Sequence, residues 1–169
     1  MKPVVIREYR DADHDACITL CQELAEHHAD IYEVPYKILK NQNQWLDSLM
    51  SKEGFVGIWL AEVDGRTVGF CGLFTYGEEG EIEPVVVTSS LRDKGIGSEL
   101  IRHAVSEAKK KNVRYLSIHP VARNKEALSL FVRLGFNMVG HLDLFQDLSS
   151  QSDRTWKSGI EILGQKLRY

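Results

Sequence analysis

The sequence predicts a mixed α/β fold, and three observations carry the prediction. Stretches with apolar residues at helical spacing alternate with stretches in which apolar residues recur at every second position. Two of the period-two runs, "FVGIWLAEV" and "TVGFCGLFTY", are joined by Asp64-Gly65-Arg66, and Asp-Gly is a pair that a tight hairpin turn favours. The segment "GIGSELIRHAVSEAKKKN" gathers Ile96, Leu100, Ile101, Ala104, Val105 and Ala108 on one helical face. It ends on Lys109 to Lys111, where the helix dipole favours cations.

Taken in order, Val4 to Arg7 reads as a strand. "RDADHDA" then offers Asp11 or Asp13 as an N-cap, ahead of a helix whose buried stripe is Ala16, Ile18, Leu20, Cys21, Leu24 and Ala25. That helix is expected to end between Glu26 and Ala29. Residues 30–40 carry Pro35 and two tyrosines and read as a loop, and a short helix around Gln44 to Met50 follows. Beyond the hairpin, "EGEIEPVVV" is a strand, "RYLSIHPVA" another, and "NKEALSLFVRLGF" a helix stopped by Gly135. "NMVGHLDLFQDL" alternates apolar residues and predicts a strand. Ser149 to Lys157 is a polar loop, and "GIEILGQKLRY" is expected to return as a strand against the preceding one. With no repeat or low-complexity linker, a single domain over residues 1–169 is expected.

Composition bounds the function. A chain of 169 residues, 43% hydrophobic and 27% charged, can bury its own core. Its 21 basic and 24 acidic residues leave a formal charge of -3, which argues against a nucleic-acid or anionic-membrane partner, so any anion site must be local. Cys17, Cys21 and Cys71 read as buried reduced thiols, and no Cys/His cluster has metal-ligand spacing, so no metal is expected. The apolar run in "MKPVVIREYR" is too short for a signal peptide, and a reducing cytoplasm is the expected compartment.

The stretch "LRDKGIGS" stands between the strand ending Val85-Val86-Val87 and the strongest predicted helix. Helix N-termini carry unpaired N–H groups and a partial positive charge, so a glycine-rich strand-to-helix turn can cradle phosphate. Gly95 and Gly97 let an anion approach the backbone, and Arg92 and Lys94 add charge. Spacing excludes two other phosphate motifs. A P-loop needs Lys-Ser/Thr after its last glycine, where this chain has Ser98-Glu99, and a dinucleotide fingerprint needs glycine at the position of Leu100.

Together with the order of elements, two motifs carry a resemblance: Arg92-x-x-Gly95-x-Gly97 after Val85-Val86-Val87, and downstream Asn124-x-x-Ala127-x-x-x-Phe131-x-x-x-Gly135-Phe136. The chain resembles the GNAT superfamily of N-acetyltransferases over essentially its whole length. The resemblance implies a mixed, mostly antiparallel and splayed sheet of about seven strands flanked by about four helices. It implies acetyl-CoA as cosubstrate, its pyrophosphate held by the turn Arg92, Asp93, Lys94, Gly95, Ile96, Gly97 and Ser98 and its pantetheine arm paired with Val85 to Val87. A bulge and a splay would open that strand edge, and Pro84 and Pro120 stand at points where proline can interrupt a ladder.

Transfer to an amine needs a base, an oxyanion donor and a proton for the leaving thiolate. Glu81 and Glu83 are the candidate bases; by strict period two they share a face with Val85 and Val87, and a bulge would exchange these facings. Glu81 matches the general-base position of histone-type family members, and Glu83 lies nearer the expected thioester. Each also fits as a solvated strand residue. The resemblance implies an oxyanion donor among the backbone N–H groups near Val86 or Val87. It places Asn124 and Ala127 beside the cofactor, Asn124 also fitting an N-cap. At Phe131, where many members carry a tyrosine proton donor, this chain cannot donate. The thiolate then leaves unaided, or Tyr36, Tyr76 or a water supplies the proton, or catalysis is weakened.

With no cysteine mapped near the thioester, direct attack is expected over a covalent acyl-enzyme, Cys71 being the thiol to check. His27, His28, Tyr32 and Tyr36 fall where the family builds its acceptor wall, and equally suit a polar helix end. His119 and His141 read as structural or supporting residues. The expected acceptor is an amine-bearing small molecule or peptide, a homodimer is compatible with the family, and the alternative is a catalytically silent acyl-CoA-binding module.

Overall fold

The period-two segments before residue 119 form strands, and the hairpin across Asp64-Gly65 pairs as the sequence predicts. A computed structural model describes residues 3–35, 42–148 and 156–169, and among these seven strands and four α-helices form. β1 (Val5–Glu8), β2 (Phe55–Val63), β3 (Arg66–Tyr76), β4 (Glu79–Val87) and β5 (Tyr115–Ile118) make one sheet in that order, antiparallel except for the parallel β4–β5 pair. The helices are α1 (His14–Tyr32), α2 (Gln42–Met50), α3 (Ile96–Lys110) and α4 (Lys125–Arg133). β6 (Ser158–Ile162) and β7 (Gln165–Arg168) form a separate antiparallel pair. The chain divides into two compact units, Met1–Ala25 with Ile38–His119 and Glu26–Lys37 with Pro120–Tyr169.

In the first unit the sheet is covered on both faces. Alternation sends Ile58, Leu60, Phe70, Phe74 and Val86 to one face, where they pack with Cys17, Ile18 and Leu20 of α1 and Leu46 and Leu49 of α2. The opposite face meets α3, whose Ile96, Leu100, Ile101, Ala104 and Ala108 are all buried. Arg7 clamps the edge: its guanidinium grips both carboxylate oxygens of Asp13 at 2.7 Å and reaches Glu62 on β2 at 2.7 Å. These bonds raise Arg7 above its ordinary value and hold Asp13 and Glu62 below the usual carboxylate range.

Asp13 therefore stands directly before α1 without capping it, because its carboxylate accepts from Arg7 and from Arg10 N–H at 2.8 Å. The helix also runs past its expected end. No glycine or proline stops it before Pro35, and it closes at Glu33, which takes a left-handed φ of 57° while Val34 N–H donates to Ala29 O at 3.0 Å. α2 starts at Gln42, slightly ahead of the expected position.

In the second unit, Arg123 is buried. Its guanidinium donates to Tyr169 O at 3.0 and 3.1 Å and to Tyr32 O at 3.4 Å, and lies 4.9 Å from the Tyr32 ring centre. Two expectations fail here. Residues 137–148 form no strand, and Met138, Val139, Leu144, Phe145 and Leu148 are largely exposed. Alternation assigns faces but supplies no partner strand. The C-terminal segment pairs with itself instead: Leu163 and Gly164, with φ of 50° and 77°, make the two-residue turn that returns β6 as β7.

Candidate active site

The site begins with a departure between strands. β4 and β5 pair only from Glu79↔Tyr115 to Ile82↔Ile118, whereas β4 continues through Glu83 to Val87. On its other side β4 stays bonded to β3, but the register slips between Cys71↔Val85 and Leu73↔Ile82, so Glu83 and Pro84 together oppose Gly72. This is the bulge anticipated at Pro84. Gly72 makes room for it: a Cβ there would lie 2.3 Å from Glu83 O.

The bulge changes which residues share a face. Cross-strand partners project together, so Glu81 faces with Phe74, and after the slip Val86 faces with Phe70 in the same layer. The strict alternation that grouped Glu81 and Glu83 with Val85 and Val87 is thereby corrected: both carboxylates lie on the α1–α2 face with Val86. The Lys52 ammonium confirms the placement, 5.5 Å from the Phe74 ring centre and 3.1 Å from Glu83 Oε2. Glu83 is the first cause holding Lys52 above its ordinary value, with Glu81 and Tyr76 adding to it.

Backbone direction follows from the same ladder. Thr88 N–H donates to Val68 O at 2.8 Å, so Val86 also turns toward β3, while Val85 and Val87 turn their N–H and C=O groups to the open side. The Val87 carbonyl duly accepts from Arg92 Nε at 3.2 Å. Glu81 stands at the last part of the β4–β5 pairing. Its Oε1 lies 3.0 Å from His119 Nδ1, the carboxylate 24% and the imidazole 66% exposed. No sequence signal joined these two residues, since only the strand register brings them together.

Beyond Val87 the chain makes a single 3-10 turn at Ser89–Leu91 and enters the glycine loop. Glu23 of α1 anchors that turn, accepting from Thr88 Oγ1 at 3.0 Å and from Ser89 N–H at 2.8 Å, a contact the sequence reading missed. Asp93 and Gly95 take left-handed φ values of 59° and 84°, and Ile96 opens α3. The first i to i−4 bond runs from Glu99 N–H to Gly95 O at 3.1 Å, so helix geometry gives the N–H groups of Ile96, Gly97 and Ser98 no carbonyl to reach. A Cβ on Gly95 would meet open space, which keeps this N-terminus accessible and suits a diphosphate. Lys94 braces the loop through Ser90 O at 3.3 Å, so the two predicted cations also hold the turn's shape.

In the second unit Asn124 caps α4, its side-chain oxygen accepting from Ala127 N–H at 3.0 Å. Phe131 is buried with its ring edge-on to Phe136. Tyr36 lies outside the described residues, and Tyr76 ends β3 half-exposed. Cys71 is fully buried, its thiol donating to Leu100 O at 3.5 Å and pushed up to about 12 by burial, so it offers no thiolate. No helix among the described residues is long and apolar enough to cross a membrane.

Comparison with known proteins accords with this geometry. An uncharacterized N-acetyltransferase of Methanocaldococcus jannaschii is 32% identical over 57% of this chain and 46% of that protein. The chain matches about half the length of the first curated relatives. A ribosomal-protein-alanine N-acetyltransferase from Brucella melitensis superposes with a TM-score of 0.62 at 27% identity, over 78% of this chain and 83% of that one. An aminoglycoside N-acetyltransferase solved in complex with CoA shares the fold at a TM-score of 0.67 and 15% identity, over 88% of this chain and 97% of that one. The profile of the Acetyltransferase (GNAT) family matches residues 21–136, and with the splayed sheet and the glycine turn in place, the chain belongs to that family.

Proposed function

We propose that the chain transfers the acetyl group of acetyl-CoA to a primary amine by direct attack on the thioester. One observation carries the reading: where β5 has ended, the bulge at Glu83 and Pro84 leaves a backbone edge open between two carboxylates and a glycine turn at a helix N-terminus. An open edge bonds the amides of a pantetheine arm as a sheet bonds an added strand, through the outward groups of Val85 and Val87. The turn from Arg92 to Ser98 takes the diphosphate. The Val87 N–H turns to the open side, which supports it over Val86 as the oxyanion donor.

Glu81 and Glu83 outnumber the cation Lys52 that meets them on this face, and that balance suits an acceptor that arrives as a cation. An amine acceptor is also in keeping with the names of two proteins of this fold, a ribosomal-protein-alanine N-acetyltransferase and an aminoglycoside N-acetyltransferase. Phe131 donates no proton, so the thiolate departs without help from that position. The burial of Cys71 disfavours an acyl-enzyme at that thiol. The deciding measurement is CoA release from acetyl-CoA with polyamines, aminoglycosides, amino acids and peptide N-termini. Turnover without a burst on acetyl-CoA alone is expected. Tight CoA binding with no amine acetylated would replace this reading with a silent binding module, which Phe131 favours.

A further inference from the structure

We infer that His119, oriented by Glu81, is the group that takes the proton from the acceptor amine; the inference rests on the acetyl-transfer reading and names its base. The geometry is simple. Glu81 Oε1 lies 3.0 Å from His119 Nδ1, which leaves Nε2, across the ring, as the nitrogen away from the carboxylate. The pair sits where β4 and β5 part, His119 following the last paired residue Ile118. Of the two, the imidazole is the exposed member, at 66% against 24% for the carboxylate.

The neighbouring groups support this division of roles. Glu83 is engaged by Lys52 at 3.1 Å, and the charges that act on Lys52 are Glu83, Glu81 and Tyr76. The remaining polar side chain at this register, Ser117, spends its hydroxyl on Gly80 O at 3.1 Å. Glu81 is therefore a positioning residue, its carboxylate standing beside one ring nitrogen where the two strands part.

The proton balance is complete. The acceptor arrives as an ammonium ion, and His119 Nε2 takes one proton, leaving a neutral amine. The amine nitrogen bonds to the thioester carbon and the C–S bond breaks. The second proton leaves the nitrogen with the thiolate sulfur, and the imidazolium returns its proton to water. An imidazole base works only when neutral, so removing it takes away the limb over which kcat/KM climbs with pH.

The test uses the full chain, the amine that gives the highest turnover in the panel, and CoA affinity as a control on folding. His119→Gln is expected to lower kcat by about 10²-fold or more and erase the limb, with CoA affinity retained. Glu81→Gln is expected to keep the limb and to lower kcat with KM for the amine little changed. Two results overturn the inference: a wild-type limb in His119→Gln with activity abolished in Glu81→Gln, which makes Glu81 the base, or wild-type kcat in Glu81→Gln, which removes its positioning role. If the wild-type chain acetylates no amine, the acetyl-transfer reading itself fails and the inference with it.

Discussion

Gly72→Ala tests whether the bulge makes the open edge. The new Cβ would lie 2.3 Å from Glu83 O and 3.7 Å from Pro84 Cδ. Carbon and oxygen in such contacts settle near about 3.3–3.6 Å, so one strand must yield by about 1 Å. The obstacle is backbone on both sides, so rotamer changes cannot absorb it. Overpacking of this kind costs about 1–3 kcal/mol of stability. If the shift removes two backbone bonds to the pantetheine arm, at ~1 kcal/mol each, CoA binding weakens by roughly 30-fold. The assays are urea denaturation and calorimetric titration with CoA. Gly65→Ala is the control: its φ of 70° is strained for alanine, but a Cβ there meets nothing within 4 Å. That variant should lose about 1–2 kcal/mol and bind CoA normally. Wild-type stability and CoA affinity in Gly72→Ala would refute the argument.

Asp13→Asn should destabilise the protein by about 1–3 kcal/mol near neutral pH, since Asp13 takes charged bonds from Arg7 in a mostly buried position. Because its folded pKa is depressed, that stability is present above the ordinary carboxylate range and is lost as pH falls through the folded value. The gap between the two proteins, followed by chemical denaturation, should therefore close in acid. Asn124→Ala removes the oxygen that caps Ala127 N–H and should cost about 1 kcal/mol, while Asn124→Asp should stay within a few tenths, both by thermal melting. Cys17 and Cys71, each pushed up to about 12 by burial, should resist iodoacetamide at pH 8 in the folded chain and react on unfolding, as read by peptide mass.

Much of the first unit was legible because local rules and tertiary structure agree there. The whole of β4, the hairpin at Asp64-Gly65 and the buried stripe of α3 each follow from periodicity and turn chemistry within one short stretch. The two ion pairs at the site were not legible. Lys52 meets Glu83, and His119 meets Glu81, only through strand pairing and a slipped register, neither of which leaves a spacing signal in the chain. Gly72 carries no mark of its own within its strand, and its use appears only against Glu83 O. At residues 137–148 the pattern misled, since alternation without a partner gives no ladder. At Leu163-Gly164 a turn went unseen because leucine rarely accepts a positive φ.

Before any ligand arrives, β4 past its pairing with β5 offers the outward groups of Val85 and the Val87 N–H to any extended chain, including another copy of itself. A cosubstrate that covers this edge would then act as a solubility factor as well as a reactant. At about a hundred times its Kd it would add about 2.7 kcal/mol to folding and silence the exposed ladder. Preparations depleted of CoA should therefore aggregate faster on warming than replenished ones, with light scattering as the readout.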